Sequence, residues 1–186
     1  MLNLITKEAS LDKSSYAEFF CIIGDLIKNA TVQEMRNFNQ HASTSCYRHC
    51  MQVAFYTYVI CKKLHLDYIS ATRGAMLHDL FLYDWHNHER TEKNFRNLHA
   101  FAHPRIALQN ATKVFDLNEI EQDVILNHMW PVTVRLPHFR ETVVVTFADK
   151  YSATRETFFH LRDLLHAKRI YKYAYVFLSL IIFRII

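Results

Sequence analysis

The chain contains only two glycines and three prolines among its 186 residues, and this scarcity limits the folds it can adopt. An all-β protein needs a turn residue every several positions, and glycine and proline supply many of these turns. The sequence therefore predicts a mostly helical fold. Neither Gly24 nor Gly74 has a second glycine nearby, so a glycine-rich phosphate loop and a dinucleotide-binding fingerprint are also excluded.

The composition is typical of one globular domain. Hydrophobic residues make up 51% of the chain and charged residues 22%, which is enough apolar material for one core at this length. The formal net charge of +4 is small and basic residues are mixed with acidic ones, so no general nucleic-acid surface is indicated. Twelve histidines are many for this length and are a stronger signal than the charge.

Four cysteines lie in apolar helical runs, and no secretory signal precedes them: Cys21, Cys46, Cys50 and Cys61. We therefore expect four buried thiols in a cytoplasmic protein. Cys46, His49 and Cys50 could instead form a zinc cluster. The usual Cys-x2-Cys spacing is missing, however, which favours core packing for these thiols.

The spacing of apolar residues predicts the helices of the N-terminal half. A first helix is expected over residues 10–29 with Ser10 as its cap, and a short second helix over 31–38 with Thr31 as its cap. Apolar residues recur every three or four positions over 45–64, which predicts a central helix that carries His49 next to its apolar seam.

The next predicted helix is capped by Asp67 and ends at His78 and Asp79. Gly74 lies inside this helix, although glycine there costs about 1 kcal/mol relative to alanine. Such a glycine indicates a close approach between two helices. We expect that approach to bring His49 together with His78 and Asp79.

Two further histidines are predicted at helix ends. Pro104 suits the first position of a helix, which places His103 at the helix cap. A helix over residues 117–127 is expected to end at His128. Both histidines would then face away from the helix that they adjoin.

Residues 142–148 have the composition of a β-strand, but no partner strand exists in the sequence. We therefore predict a helix that runs to about residue 155. Asp149 would lie on its apolar face together with Val145 and Ser152. A carboxylate in such a place needs a cation beside it.

The last predicted helix, over residues 170–186, is apolar nearly all round. It is short for a bilayer span of about 20 apolar residues, so we expect a buried helix or a homodimer interface, with a membrane-associated tail as the lesser alternative. The polar and aromatic stretch over 83–99 is expected to be a solvated loop or a substrate lid, and its histidines (His86, His88 and His99) are not assigned as ligands.

Six candidate metal ligands follow from these observations: His49, His78, Asp79, His103, His128 and Asp149. This pattern resembles the HD-domain phosphohydrolase superfamily, whose hallmark is a histidine, a His-Asp pair and a later aspartate brought together by a helical bundle. The resemblance covers about residues 45–156 of a single domain over 1–186. It implies an all-α HD-domain helical bundle around a metal site.

The two extra histidines, His103 and His128, resemble those of the branch that holds two metal ions. In that branch the first ion is held by His49, His78, Asp79 and Asp149, and Asp79 bridges to a second ion held by His103 and His128. Histidine and carboxylate donors without a thiolate suit divalent Fe, Mn, Co, Ni or Zn.

The resemblance also implies a function: hydrolysis of a small phosphomonoester or phosphodiester, nucleotide-like, by a metal-bound hydroxide that Asp79 helps to orient. Lys150 and Arg105 are the basic side chains expected to hold the phosphate. Two alternatives are a di-iron oxygenase of the same fold and a non-catalytic, metal-stabilised interaction domain.

Overall fold

Helices account for nearly all regular structure in the described part of the chain, so the predicted all-α class is confirmed. The computed structural model describes residues 12–41, 44–83 and 99–185, with side chains for 12–39, 44–83 and 100–167. The helices are α1 (Lys13–Ile22), α2 (Gly24–Lys28), α3 (Ala30–Glu34), α4 (Cys46–Lys63), α5 (Tyr68–Leu77), α6 (His99–Thr112), α7 (Glu119–Asn127) and α8 (Arg140–Ile185). A 3-10 turn (Met35–Asn37) and a two-stranded antiparallel ribbon, β1 (Asn39–His41) with β2 (Thr44–Ser45), join α3 to α4.

The central helix is α4, which packs against both α5 and α8. The apolar seam of α4 contains Cys50, Val53 and Tyr58, all fully buried. Helix α7 packs against α5, α6 and α8. Ser45 and Asp67 cap α4 and α5 by accepting from the backbone N–H of Arg48 and Ser70. The cap at Asp67 was predicted from the sequence. These two caps fix where the helices that carry the first half of the site begin.

The prediction of a single first helix over residues 10–29 was wrong. The backbone leaves the helical region at Ile23, so α1 ends at Ile22 and α2 begins at Gly24. Asp12 caps α1 by accepting from Ser15 N at 2.9 Å, and Ser10 lies outside the described residues. Because Cys21 is about 200° around α1 from the buried Phe19, it faces solvent, which corrects the expectation of a buried thiol.

The second predicted helix also differs in its bounds. Asn29, one residue before α3, accepts from Thr31 N at 2.9 Å and is therefore the cap, so Thr31 lies within the first turn. The helix tightens into the 3-10 turn at Met35, whereas the prediction continued it to residue 38. The remaining three cysteines, Cys46, Cys50 and Cys61, are buried as expected.

A buried carboxylate on α7 fixes the start of α8. Asp123 accepts hydrogen bonds from the backbone N–H groups of His138 and Phe139, at 3.1 and 3.3 Å, and from the hydroxyl of Thr142. These donors belong to the first turn of α8 and the residues before it, where helical N–H groups have no partner inside the helix. The strand-like run 142–148 is therefore helical, as predicted.

The run predicted as a separate helix over 170–186 is instead the end of α8, which continues without a break to Ile185. The prediction that this segment is buried or forms a homodimer interface concerns side chains outside the described residues. Within the described part of the chain, no helix combines the length and the apolar character needed to cross a bilayer.

Gly74 makes the predicted close approach, but its partner is α7 rather than α4. A Cβ atom added to Gly74 would lie 2.9 Å from the Cβ of Val124 and 3.3 Å from the Cα of Glu121. Only a residue without a side chain lets α5 and α7 come this close. Their packing brings the ends of the two helices, at His78 and His128, to the same place.

The substitution Gly74→Ala should destabilise the fold. Overpacking against Val124 costs about 1–3 kcal/mol, while alanine gains about 1 kcal/mol in helix propensity, so the free energy of unfolding should fall by up to about 2 kcal/mol in urea denaturation. Gly24→Ala is the control, because in the described part of the chain no atom beyond its own helix and sequence neighbours lies within 4 Å of the added Cβ. The penalty should shrink when Val124→Ala is also present, and an equal penalty in both backgrounds would contradict the contact.

Glu18 on α1 connects three helices. Its carboxylate accepts from the hydroxyls of Tyr58 on α4, at 2.6 Å, and Tyr68 on α5, at 2.8 Å, and it pairs with the ammonium of Lys62. The hydrogen bonds from Lys62 and the two tyrosines lower the pKa of Glu18 from 4.5 to about 2. A lowered folded-state pKa means that the ionised form stabilises the fold.

The stabilisation by Glu18 should be present above about pH 4.5 and disappear as the pH falls toward 2. Glu18→Gln should therefore lower the Tm at neutral pH, and the difference from the wild-type protein should shrink across this acid range. Thermal unfolding followed by circular dichroism at a series of pH values tests this, with the exposed Glu34→Gln as control. A difference in Tm that is constant with pH would be the contrary result.

Candidate metal centre

The six predicted ligand residues lie together in the interior, each with a relative exposure of 9% or less. Three of them lie on helices, and the other three lie just beyond the C-terminal ends of two more helices. His49 lies on α4, His103 on α6 and Asp149 on α8, while His78 and His128 are the C-caps of α5 and α7. Asp79 directly follows His78.

The carboxylate of Asp79 lies between two pairs of histidines. Its Oδ2 is 3.2 Å from Nε2 of His78 and 4.0 Å from Nε2 of His49. Its Oδ1 is 3.2 Å from Nε2 of His103 and 3.7 Å from Nε2 of His128. Each oxygen of one carboxylate therefore faces its own pair of ring nitrogens.

Asp149 completes the side of the cluster that contains His49. Its Oδ1 lies 3.0 Å from Nε2 of His49 and 3.8 Å from Nε2 of His78. As predicted, Asp149 shares a buried helix face with Val145 and Ser152. The spacing of a helix thus delivers this carboxylate from the same face that packs on the core.

Backbone carbonyls orient two of the histidines. His78 donates its Nδ1–H to the carbonyl of Ala75 at 2.7 Å, and His128 donates its Nδ1–H to the carbonyl of Ile125 at 3.0 Å. Both carbonyls belong to the last turn of a helix, where they have no partner inside the helix. The hydrogen bonds fix the tautomer and direct both Nε2 atoms into the cluster.

His103 does not cap its helix, contrary to the prediction. The helix α6 begins at His99 and includes Pro104, which removes one hydrogen bond to the carbonyl of Ala100 close to the helix start. His103 is therefore inside the helix, one and two turns before the buried Ala107 and Ala111. This inward face is what brings His103 into the cluster.

The donor arrangement fits a metal ion. Three overlapping sets, each with donor atoms within 4.8 Å of one another, are His49, His78 and Asp79; Asp79, His103 and His128; and His78, His128 and Asp149. The buried Nε2 of His78 makes no hydrogen bond to the described residues, and the Nε2 atoms of His103 and His128 lie only 3.0 Å apart. Inward-facing imidazole nitrogens beside carboxylates are suitable ligands for a divalent cation, which binds the deprotonated ring.

The surroundings shift the pKa values of two cluster histidines in opposite directions. Burial opposes the charge of His49, but hydrogen bonds to Asp149 and Glu156 outweigh it and raise the pKa to about 10. Burial and the nearby charge of His78 lower the pKa of His128 to about 3. Burial also opposes the charge of Asp79, yet His78 and His103 hold its pKa well below its usual range. The cluster therefore keeps its carboxylates ionised.

Three residues beside the cluster were not identified as parts of the site from the sequence. Glu156 lies 3.2 Å from Nδ1 of His49, and Cys46 donates its thiol to the carbonyl of Asp79 at 3.0 Å. Cys46 and Cys50 form a further donor set with Asp79, rather than with His49 as in the zinc alternative. The available signal for Glu156 was its spacing of seven residues, or two helical turns, from Asp149.

The two predicted phosphate-binding residues differ in their surroundings. Lys150 is half-buried, and its ammonium donates to the carbonyl of His128 at 3.4 Å; burial lowers its pKa. Arg105 is exposed and contacts the carbonyl of Phe101 at 3.5 Å. His86 and His88, like the side chain of His99, lie outside the described residues.

Comparisons of the chain with protein-family models, curated proteins and solved structures gave no match. The geometry alone therefore defines the class of site: a buried histidine and aspartate cluster in an all-α protein that could hold a metal ion.

Asp79→Asn should remove metal binding, because it takes one negative charge and one acceptor oxygen from the middle of the cluster. At a free Mn²⁺ or Co²⁺ concentration of about 100 times Kd, the wild-type protein should gain about 2.7 kcal/mol of stability, seen as a rise in Tm. The variant should show little or no rise. Asp116→Asn, at an exposed aspartate, is the control, and an equal metal response of both variants would contradict the assignment.

Proposed function

We propose that the chain is a metal-dependent phosphohydrolase of the HD-domain kind, which cleaves a small phosphomonoester or phosphodiester, nucleotide-like in character. The observation that carries this proposal is the position of Asp79 between two pairs of inward-facing histidine nitrogens. A carboxylate with one oxygen toward each pair is suited to bridging two cations. A solitary structural ion would need only one of these pairs.

The ligand sets divide around Asp79. His49, His78, Asp79 and Asp149 would hold one divalent ion, and Asp79, His103 and His128 would hold a second. When bound, two such ions lower the pKa of a water and neutralise the charge that develops on phosphoryl oxygens. No nucleophile from the protein is needed for this reaction class.

Lys150 is the better placed of the two basic residues to meet a phosphate. It follows Asp149 in the sequence, and its ammonium lies against the backbone of His128, so it is tethered to two ligand residues. A half-buried ammonium has lost part of its hydration, which strengthens its attraction to an anion. Arg105, being exposed and two residues beyond His103, would contact only the outer part of a substrate.

The same nitrogen and carboxylate donors suit iron, so a di-iron oxygenase is the second candidate. The two candidates differ in what they consume. A hydrolase loaded with Mn²⁺ or Co²⁺ releases phosphate or an alcohol from an ester without oxygen, whereas an oxygenase requires Fe²⁺ and takes up O₂.

Purified protein loaded with Mn²⁺, Co²⁺ or Fe²⁺ should hydrolyse members of a panel of nucleotides and chromogenic phosphate esters. Asp79→Asn should lower kcat by about 100-fold or more, and Lys150→Ala should mainly raise KM. Lys113→Ala, at an exposed lysine, is the control. Failure of every ester with every metal would overturn the proposal, and O₂ uptake by the Fe²⁺ form alone would favour the oxygenase.

A further inference from the structure

Glu156 is a buried carboxylate on α8 whose position the metal ligands do not by themselves explain. Its side chain is only 8% exposed. Its Oε1 lies 3.2 Å from Nδ1 of His49 and accepts from the hydroxyl of Ser152 at 3.4 Å. Its Oε2 is buried and has no hydrogen-bond partner among the described residues.

The imidazole of His49 lies between two carboxylates of the same helix. Nε2 faces Asp149 at 3.0 Å, inside the cluster, and Nδ1 faces Glu156 on the outer side of the ring. Asp149 and Glu156 are two turns apart on α8, so one helix face supplies both oxygens. The ring can turn in neither direction without losing one of these contacts.

The other oriented histidines obtain this support from the backbone. His78 and His128 are at helix ends, where a carbonyl of the last turn accepts their Nδ1–H. His49 lies inside α4, where the carbonyls are already used by the helix. A side-chain carboxylate therefore takes the place of the carbonyl.

We propose that Glu156 is a positioning residue, which accepts the Nδ1–H of His49 and thereby presents Nε2 to a metal ion held with His78, Asp79 and Asp149. This inference deepens the proposed function and shares its metal site. A carboxylate behind a ligand histidine fixes the ring and also makes the imidazole a stronger donor. Glu156 itself belongs to none of the sets of mutually close donor atoms in the described residues.

A purely structural ion pair between α4 and α8 is the competing explanation, and two variants separate it from the proposal. Glu156→Gln keeps an oxygen that accepts from Nδ1 but removes the charge, whereas Glu156→Ala removes both. Glu141→Ala is the matched control, because Glu141 is also a buried glutamate on α8 but accepts from the backbone N–H of Asp67 at 3.0 Å.

The test measures Co²⁺ affinity by titration calorimetry and the visible absorption of bound Co²⁺, with the Tm of each metal-free variant. Glu156→Ala should bind Co²⁺ about 10–100-fold more weakly and Glu156→Gln should lose less. Glu141→Ala should keep the wild-type Kd and absorption spectrum, even where its Tm falls.

The proposal is overturned if Glu156→Ala binds Co²⁺ as tightly as the wild-type protein, or if Glu141→Ala weakens binding to the same extent. Hydrolysis assays separate its failure from that of the proposed function. Co²⁺ binding that depends on Glu156 in a protein without phosphoesterase activity would leave the positioning role standing and remove the hydrolase. If the Glu156→Ala variant binds Co²⁺ with unchanged Kd and the protein hydrolyses phosphate esters, the hydrolase proposal stands and the positioning role is removed.

Discussion

The contact on which the rest of the structure depends is that between the Asp79 carboxylate and the four imidazoles around it. A buried carboxylate is stable only beside positive charge or strong donors. Three of the four imidazoles around Asp79 come from other parts of the bundle, namely α4, α6 and the end of α7. Two side chains hold the backbone around Asp79 in place. The thiol of Cys46 donates to the carbonyl of Asp79, and the side-chain amide of Asn110 donates to the carbonyl of Leu80. The bundle is thus built around a charge that must be compensated.

The arrangement of helix ends favours a cation in the same place. The C-termini of α5 and α7 both point into the cluster, and each is followed by a ligand histidine. A helix C-terminus carries a partial negative charge, so two of them add to the field of Asp79 and Asp149. The close packing of α5 on α7 at Gly74 makes this convergence possible, since any larger residue would separate the two ends.

The scarcity of glycine and proline predicted the helical class, capping chemistry predicted the cap Asp67, and the lack of a partner strand predicted the helical state of residues 142–148. These sequence signals failed where contacts between distant segments determine the bounds of a helix. The break at Ile23 and the inclusion of Pro104 within α6 depend on packing that no local pattern encodes. The six cluster residues could be chosen because each lies near a helix signal, whereas the role of Glu156 depends on the packing of α8 against α4.

The contact between His49 and Asp149 joins residues that are 100 positions apart in the chain. Bringing such distant residues together costs the entropy of closing the intervening segment, which the buried contact must overcome. During translation, a nascent polypeptide that ends before α8 lacks both carboxylates that face His49. The pocket is therefore completed only once the segment that carries Asp149 and Glu156 has been synthesised.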